Sequence, residues 1–206
     1  MFEPSEIYQN TLRRKQTYKI LMDSASRMLN KAKIVANIEA AMVLAKILKR
    51  HNEKGIKSEE ESKDSLDLFM LLMTFYEEIT DEAAIVSAFE NYAKSILLRK
   101  QYVIHKFSFR GSRANNKNKI PLHIRTYIKS RDNYIFQPTT LSAKNLLDIN
   151  YVKHYSISDF CIEHLKKFNE TRNLLHMNTK ITSRIGLSEL EAINELKFTI
   201  ESYRKY

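Results

Sequence analysis

Glycine, proline and cysteine are scarce in this chain, and tryptophan is absent. Its 206 residues include three glycines, three prolines and one cysteine. Gly55, Gly111 and Gly186 stand more than 50 residues apart, so neither a glycine-rich dinucleotide turn nor a P-loop can form. The scarcity of Gly and Pro also argues against a β-rich fold with many tight turns. A lone cysteine, Cys161, excludes a disulfide framework and a cysteine-rich zinc site.

Long apolar runs are also missing. The longest strongly apolar run, Leu68–Tyr76, is far shorter than the ~20 residues that a membrane-spanning helix needs. The first residues include two acids, Glu3 and Glu6, and lack the apolar core of a secretory signal peptide. We therefore expect a cytoplasmic protein with no membrane partner, in which the lone thiol stays reduced.

The remaining composition is that of a helical protein large enough to bury a sizeable core. We predict an all-α fold, with one helical-bundle domain over residues 1–206 and about five to seven helices. Residues 5–50 contain no Gly or Pro and predict one long helix or a kinked pair. A cap at 80–82 predicts a helix that runs to about Ile104. A second helix is predicted to begin at Ser158 and Asp159. An S-x-x-E capping box at 188–191 predicts the start of the last helix. The segment 105–157 is basic and loop-rich, and it is either an insertion or part of the core.

Residues 91–131 carry 11 basic and no acidic side chains, in a chain whose net charge is +10. Tyr92, Tyr102, Phe107, Phe109 and Tyr127 lie among the cations. Cations neutralise phosphates and aromatic rings stack on unpaired bases, so we predict that this basic block binds RNA or another nucleic acid. The alternative is a solvated basic face of a lysine-rich chain. The cations that we assign to binding are Arg99, Lys100, Lys106, Arg110, Arg113, Lys117, Lys119 and Arg125.

The chemistry-bearing pattern lies on the helix that begins at Ser158. Cys161, Leu165, Phe168, Arg172 and His176 step by four, three, four and four residues, which places them on one side of the helix. Histidine can transfer a proton near neutral pH, and arginine can hold a phosphate and its transition-state charge. With a 2′-hydroxyl as nucleophile, RNA cleavage would need no metal or other cofactor. The alternative is a structural pair at the helix end, bonded to carbonyls or to a neighbouring acid. The other histidines, among them His105, His123 and His154, are interpreted as structural.

The segment Glu170–His176 resembles the R-N-x-x-x-H signature of HEPN domains, which are small α-helical proteins of toxin–antitoxin, abortive-infection and RNA-processing systems. The spacing between Arg172 and His176 is one residue shorter than is usual in that family. The resemblance implies a homodimer whose two motifs form a metal-independent endoribonuclease cleft. It assigns Arg172, Asn173 and His176 to the site, with Glu170 as a supporting acid.

Two classes of function follow. The first is a HEPN-like endoribonuclease of a toxin–antitoxin or anti-phage defence system, with RNA as substrate and an antitoxin or defence-complex subunit as partner. The second is a non-catalytic helical scaffold that uses the basic block 91–131 to bind nucleic acid or an acidic protein. The first requires the Arg172 and His176 side chains to be offered to a phosphodiester, whereas the second does not.

Overall fold

The computed structural model describes residues 5–32, 42, 46, 49, 82–110, 118–175 and 186–205. Within them lie eight α-helices, a 3-10 turn at Arg131–Asn133 and one two-stranded sheet, so the expected all-α class is confirmed. The helices are α1 (Ser5–Gln9), α2 (Thr11–Lys31), α3 (Glu82–Arg99), α4 (Ile124–Lys129), α5 (Ala143–Leu146), α6 (Ile149–Val152), α7 (Asp159–Leu175) and α8 (Leu187–Arg204). The strands are β1 (His105–Phe109) and β2 (Tyr134–Thr140). No helix of these described ranges is both long and apolar enough to cross a membrane.

Helix α3 lies at the centre of the described helices. It packs against α2, α5, α7 and α8, and its side chains are buried almost all round, with Ile85, Phe89 and Tyr92 fully enclosed. A helix with neighbours on every side buries polar positions as well as its apolar stripe. Lys94 is therefore only 7 % exposed.

Helix α3 ends at Arg99 and not near Ile104, so the predicted end is wrong. The backbone of Gln101 turns into the left-handed region, with φ of 63°. The Gln101 N–H donates to Leu98 O at 3.0 Å, and the Tyr102 N–H donates to Leu97 O at 2.8 Å. This pair of bonds is a Schellman ending, built here on a glutamine, which is why no glycine in the sequence marked it.

The segment 105–157 contains strands that the sequence pattern did not predict. Strand β1 pairs with β2 in antiparallel register, with Phe107 opposite Phe136 and Phe109 opposite Tyr134. Phe107 and Phe136 are buried in the same core as the long helices. The described parts of the chain thus share one hydrophobic core, while the domain limits 1–206 and the reading of 105–157 as an insertion stay predictions.

The two last helices begin close to the predicted residues. Helix α7 starts at Asp159, where the Ser158 hydroxyl accepts the Cys161 N–H at 3.1 Å. Helix α8 starts at Leu187, so the predicted box at 188–191 is displaced: the acid is Glu189, which accepts the Gly186 N–H at 3.0 Å. A carboxylate at the third helical position satisfies an N–H that the helix itself leaves unpaired.

Candidate functional site

The apolar stripe of α7 lies where the spacing predicted it. Cys161, Leu165 and Phe168 are buried against the core. The Cys161 thiol donates to Ala192 O at 3.3 Å, and burial raises its pKa to about 12. A thiol with so high a pKa is protonated at neutral pH and is a poor nucleophile, so Cys161 is a core residue.

Arg172 continues this stripe and forms an ion pair inside the monomer. Its guanidinium Nη1 lies 3.2 Å from Oε1 of Glu90 on α3, with the two side chains 29 % and 18 % exposed. Glu90 also accepts the Ala143 N–H of α5 at 2.9 Å. For Arg172 this contact is of the kind that the structural alternative describes, an arginine bonded to a neighbouring acid.

A second cation shares the same carboxylate. Lys94 Nζ lies 3.4 Å from Glu90 Oε2. Burial lowers the pKa of Lys94, the Glu90 carboxylate opposes that effect, and the nearby charges of Arg172 and Lys106 lower it further. Glu90, Lys94, Arg172 and Lys106 are called the Glu90 cluster below. Arg172 and Lys94 lie at the Glu90 carboxylate, and the charge of Lys106, a residue of β1, acts on Lys94.

Tyr8 and His105 form a buried pair. The Tyr8 hydroxyl accepts the backbone N–H groups of Ile104 and His105 at 3.1 and 3.2 Å and lies 2.5 Å from His105 Nδ1. Burial, helped by the charge of Lys94, lowers the pKa of His105 to about 4. The imidazole is therefore neutral at pH 7 and ties the short helix α1 to the start of β1, which agrees with its structural interpretation.

The remaining motif residues are only partly placed. Glu170 is an exposed residue of α7. Asn173 belongs to the same helix, but its side chain lies outside the described residues, and so does all of His176. The structure therefore brings Arg172 together with Glu90 and Lys94, residues that the sequence pattern did not join to the motif. The sequence feature that could have indicated this contact is the spacing of Glu90 and Lys94, which stand four residues apart on a helix with 12 of its 18 residues buried.

The cations of the basic block that the structure describes do not line one groove. Arg110, Lys119 and Arg125 are exposed, and Lys106 belongs to the Glu90 cluster, while Arg113 and Lys117 lie outside the described residues. The Lys100 amine donates to His154 O at 2.7 Å, and the Arg99 guanidinium lies 5.7 Å from the centre of the Tyr203 ring. At about 100° per residue, Arg99 projects from the side of α3 opposite to Glu90. The block thus supplies cations to two sides of the molecule.

Of the five aromatic rings in the basic block, one is strongly exposed. Tyr92, Phe107 and Tyr127 are buried, whereas Phe109 is 46 % exposed. Its ring centre lies 5.0 Å from that of Tyr134. A ring supported on one side and open on the other can stack on an unpaired base.

Two histidines also meet at an aromatic ring. The backbone bridge between Tyr102 and His123 places the His123 ring 5.3 Å from that of Tyr102, and the His154 ring lies 4.6 Å from it. Burial, together with the charges of Lys100 and Lys153, lowers the pKa of His154. Sequence spacing could not reveal this group, because the three residues come from separate segments.

In the part of the chain that the structure describes, no three His, Cys, Asp or Glu residues are grouped as metal ligands would be. Comparisons with protein-family models, with curated protein sequences and with solved structures found no match to this chain. The candidate functional site therefore consists of the Glu90 cluster and the exposed residues of the basic block.

Proposed function

We propose that the protein is a HEPN-like, metal-independent endoribonuclease that acts as a homodimer in the cytoplasm, within a toxin–antitoxin or anti-phage defence system. The observation that carries the proposal is the position of Arg172. It stands at the end of a buried stripe and near Lys94, whose pKa the charges of Arg172 and Lys106 both lower, so that cationic charge is concentrated beside the motif helix. A phosphodiester is the ligand that such a concentration of charge favours.

The proposed reaction is transesterification within the RNA. The 2′-hydroxyl attacks the adjacent phosphorus, the bond to the 5′-oxygen breaks, and the products carry a 2′,3′-cyclic phosphate and a 5′-hydroxyl. The His176 imidazole accepts the proton of the 2′-hydroxyl. The same residue of the partner subunit, in its protonated form, donates a proton to the leaving 5′-oxygen. Arg172 stabilises the additional negative charge on the phosphate oxygens in the transition state. Two motifs facing each other would supply both proton-transfer groups, which is the reason for proposing a dimer.

Glu90 has a defined part in this scheme. A guanidinium offers five N–H donors in a rigid fork, so one edge can be held by Glu90 while another contacts a phosphate. Glu90 is thereby a positioning residue for Arg172. Its carboxylate also reduces the net positive charge that an RNA substrate would meet at this cluster. Glu90→Gln should loosen the arginine and change cleavage less than removal of Arg172 does.

The test is RNA cleavage in the presence of a chelator by the purified homodimer. Arg172→Ala and His176→Ala should each lower the rate by 100-fold or more, as expected for loss of a charge-stabilising or proton-transferring group. Lys167→Ala, which removes an exposed cation from the same helix, is the matched control and should leave the rate nearly unchanged. Thermal unfolding of each variant separates loss of activity from loss of fold. A dimeric wild-type protein that cleaves no RNA, or a His176→Ala variant of undiminished rate, would refute the proposal.

A second candidate is a non-catalytic scaffold that binds nucleic acid. The observation in its favour is that Glu90 already occupies Arg172, while Phe109 and Arg110 are exposed. This candidate predicts salt-sensitive RNA binding that is weakened by charge reversal at Arg110 and Lys119 and is indifferent to His176. If the scaffold binds an acidic protein and not nucleic acid, the wild-type protein should show no RNA binding, and charge reversal at Arg110 and Lys119 should abolish its complex with that protein.

A further inference from the structure

A cleft opens between α2, α3 and the end of α8, on the side of α3 opposite to Glu90. Its volume is about 250 Å³. Met22 and Ser95 form its buried floor, and Tyr18 and Tyr203 are two of its walls. The volume is slightly below the ~300–1,000 Å³ of sites for drug-sized molecules, which suits a small ligand.

The walls of this cleft are held in place by hydrogen bonds. The Ser95 hydroxyl donates to the backbone carbonyl of Tyr18 at 2.8 Å. The Tyr203 hydroxyl lies 2.7 Å from the Ser156 hydroxyl, which fixes the ring from its far end. A ligand that enters between these two tyrosines would meet a surface formed in advance and would not have to order it.

The rim is strongly cationic. Among the residues that the structure describes, Lys19, Arg99, Arg204 and Lys205 line it together with a single carboxylate, Asp23. Asp23 is paired with Arg204, whose Nε lies 3.0 Å from Oδ1. The positive charges of Lys19, Arg99 and Lys205 therefore exceed the negative charge available in the cleft lining.

Attraction to helix ends does not account for this charge. Cations collect at helix C-termini because the terminal carbonyls attract them, and that would suffice for Arg204 and Lys205 at the end of α8. Lys19 stands in the middle of α2, far from either helix end. Arg99 stands at the end of α3, but its guanidinium lies over the Tyr203 ring at 5.7 Å.

We propose that this cleft binds the phosphate group of a nucleotide, with Lys19, Arg99 and Lys205 around the phosphate and the sugar or base against Tyr18 and Tyr203. Such a ligand is an anion attached to a flat ring. The guanidinium and ammonium groups of the cleft can donate hydrogen bonds to the phosphate, and the tyrosine rings offer aromatic surface to the ligand's ring. The ligand is a nucleoside monophosphate, either free or as the terminal nucleotide of an RNA strand.

The site is separate from the Glu90 cluster. Glu90 and Arg99 lie nine residues apart on α3, which is about 13.5 Å along the helix axis at 1.5 Å per residue, and they project to opposite sides. The inference therefore does not rest on Arg172 acting in RNA cleavage. It assigns Arg99 to a different surface from Lys106.

The experiment measures binding of AMP, adenosine and inorganic phosphate to the full-length protein by titration calorimetry. AMP should bind more tightly than either fragment, since only AMP presents both the anion and the ring. Arg99→Gln and Lys19→Gln should each weaken AMP binding about tenfold or more, equivalent to ~1.4 kcal/mol. Lys144→Gln, which removes an exposed cation of α5 outside the cleft, should leave AMP binding unchanged.

A short RNA with and without a 5′-phosphate distinguishes the two sources of the nucleotide. Tighter binding of the phosphorylated strand, lost in Arg99→Gln, would assign the cleft to an RNA end, and equal binding of both strands would assign it to the free nucleotide. The proposal is overturned if AMP shows no saturable binding at millimolar concentration, if adenosine or phosphate binds as tightly as AMP, or if Lys144→Gln weakens binding as much as Arg99→Gln.

Discussion

Arg172 and Glu90 lie 82 residues apart in the chain, and the guanidinium of the first is 3.2 Å from the carboxylate of the second. This ion pair joins the motif helix α7 to the central helix α3. The Glu90 carboxylate also lies beside Lys94, one turn further along α3, and partners the charge of this buried lysine. The pair therefore has a structural effect whether or not Arg172 also meets a phosphate.

Removing the carboxylate of the Glu90 cluster should destabilise the protein. Glu90→Gln keeps an oxygen that can accept the Ala143 N–H but leaves Lys94 and Arg172 without a counter-charge. Because the side chains are largely but not fully buried, we expect the free energy of unfolding to fall by about 2 kcal/mol. Chemical denaturation measures this change, with Glu163→Gln on the exposed side of α7 as control.

A second substitution checks the cause. In the Glu90→Gln background, Lys94→Met removes the buried charge that lost its partner, so the double variant should be more stable than the sum of the two single changes predicts. Strict additivity of the two changes would show that the stability loss does not come from the unpaired lysine.

The pH dependence of stability should show the buried imidazole of His105. Its pKa is about 4 in the folded protein, against about 6.5 in an unfolded chain. Between these values the unfolded chain binds more protons, so the free energy of unfolding falls as the pH drops from about 6.5 to about 4. The contribution of this group is up to about 3 kcal/mol. His105→Gln, whose side-chain oxygen can still accept from Tyr8, should flatten the profile in this window, and an unchanged slope would contradict the assignment.

Glycine at position 101 should stabilise the protein. Gln101 has a φ of 63°, a conformation that costs a residue with a Cβ atom about 1 kcal/mol and costs glycine little. Gln101→Gly should therefore raise the free energy of unfolding by about 1 kcal/mol, measured by denaturant titration. Gln101→Val should lower it, because a β-branched side chain is still less tolerant of positive φ. A stabilising valine would mean that α3 does not end in this way in solution.

Truncation of the exposed ring of Phe109 should weaken binding of single-stranded RNA. Stacking contributes ~1–3 kcal/mol per base, so Phe109→Ala should raise the dissociation constant at least fivefold. The slope of affinity against salt should stay the same, because no phosphate contact is lost. Phe198→Ala is the matched control, since that ring is 69 % exposed on α8 and lies outside the basic block. Equal effects of the two changes would rule out a specific role for Phe109.

The long helices illustrate how much local pattern can predict. Apolar residues at helical spacing placed Cys161, Leu165 and Phe168 on one buried stripe, and Ser158 marked the start of α7. The end of α3 was misjudged because its signal is usually a glycine, and here a glutamine takes that conformation. The strands β1 and β2 were missed because they are short and pair with each other across 25 or more residues.

The sequence by itself determined the helical class, the absence of glycine-based nucleotide cradles and the unbroken run of positive charge from 91 to 131, because these depend on composition and on neighbours within a few positions. Only the tertiary structure decided that Glu90 holds Arg172, that Lys94 is buried, and that Arg99 and Lys106 serve different surfaces. Those outcomes depend on which faces of α2, α3, α7 and α8 come together in space. The free energy of a charge is set by what surrounds it there and not by its place in the chain.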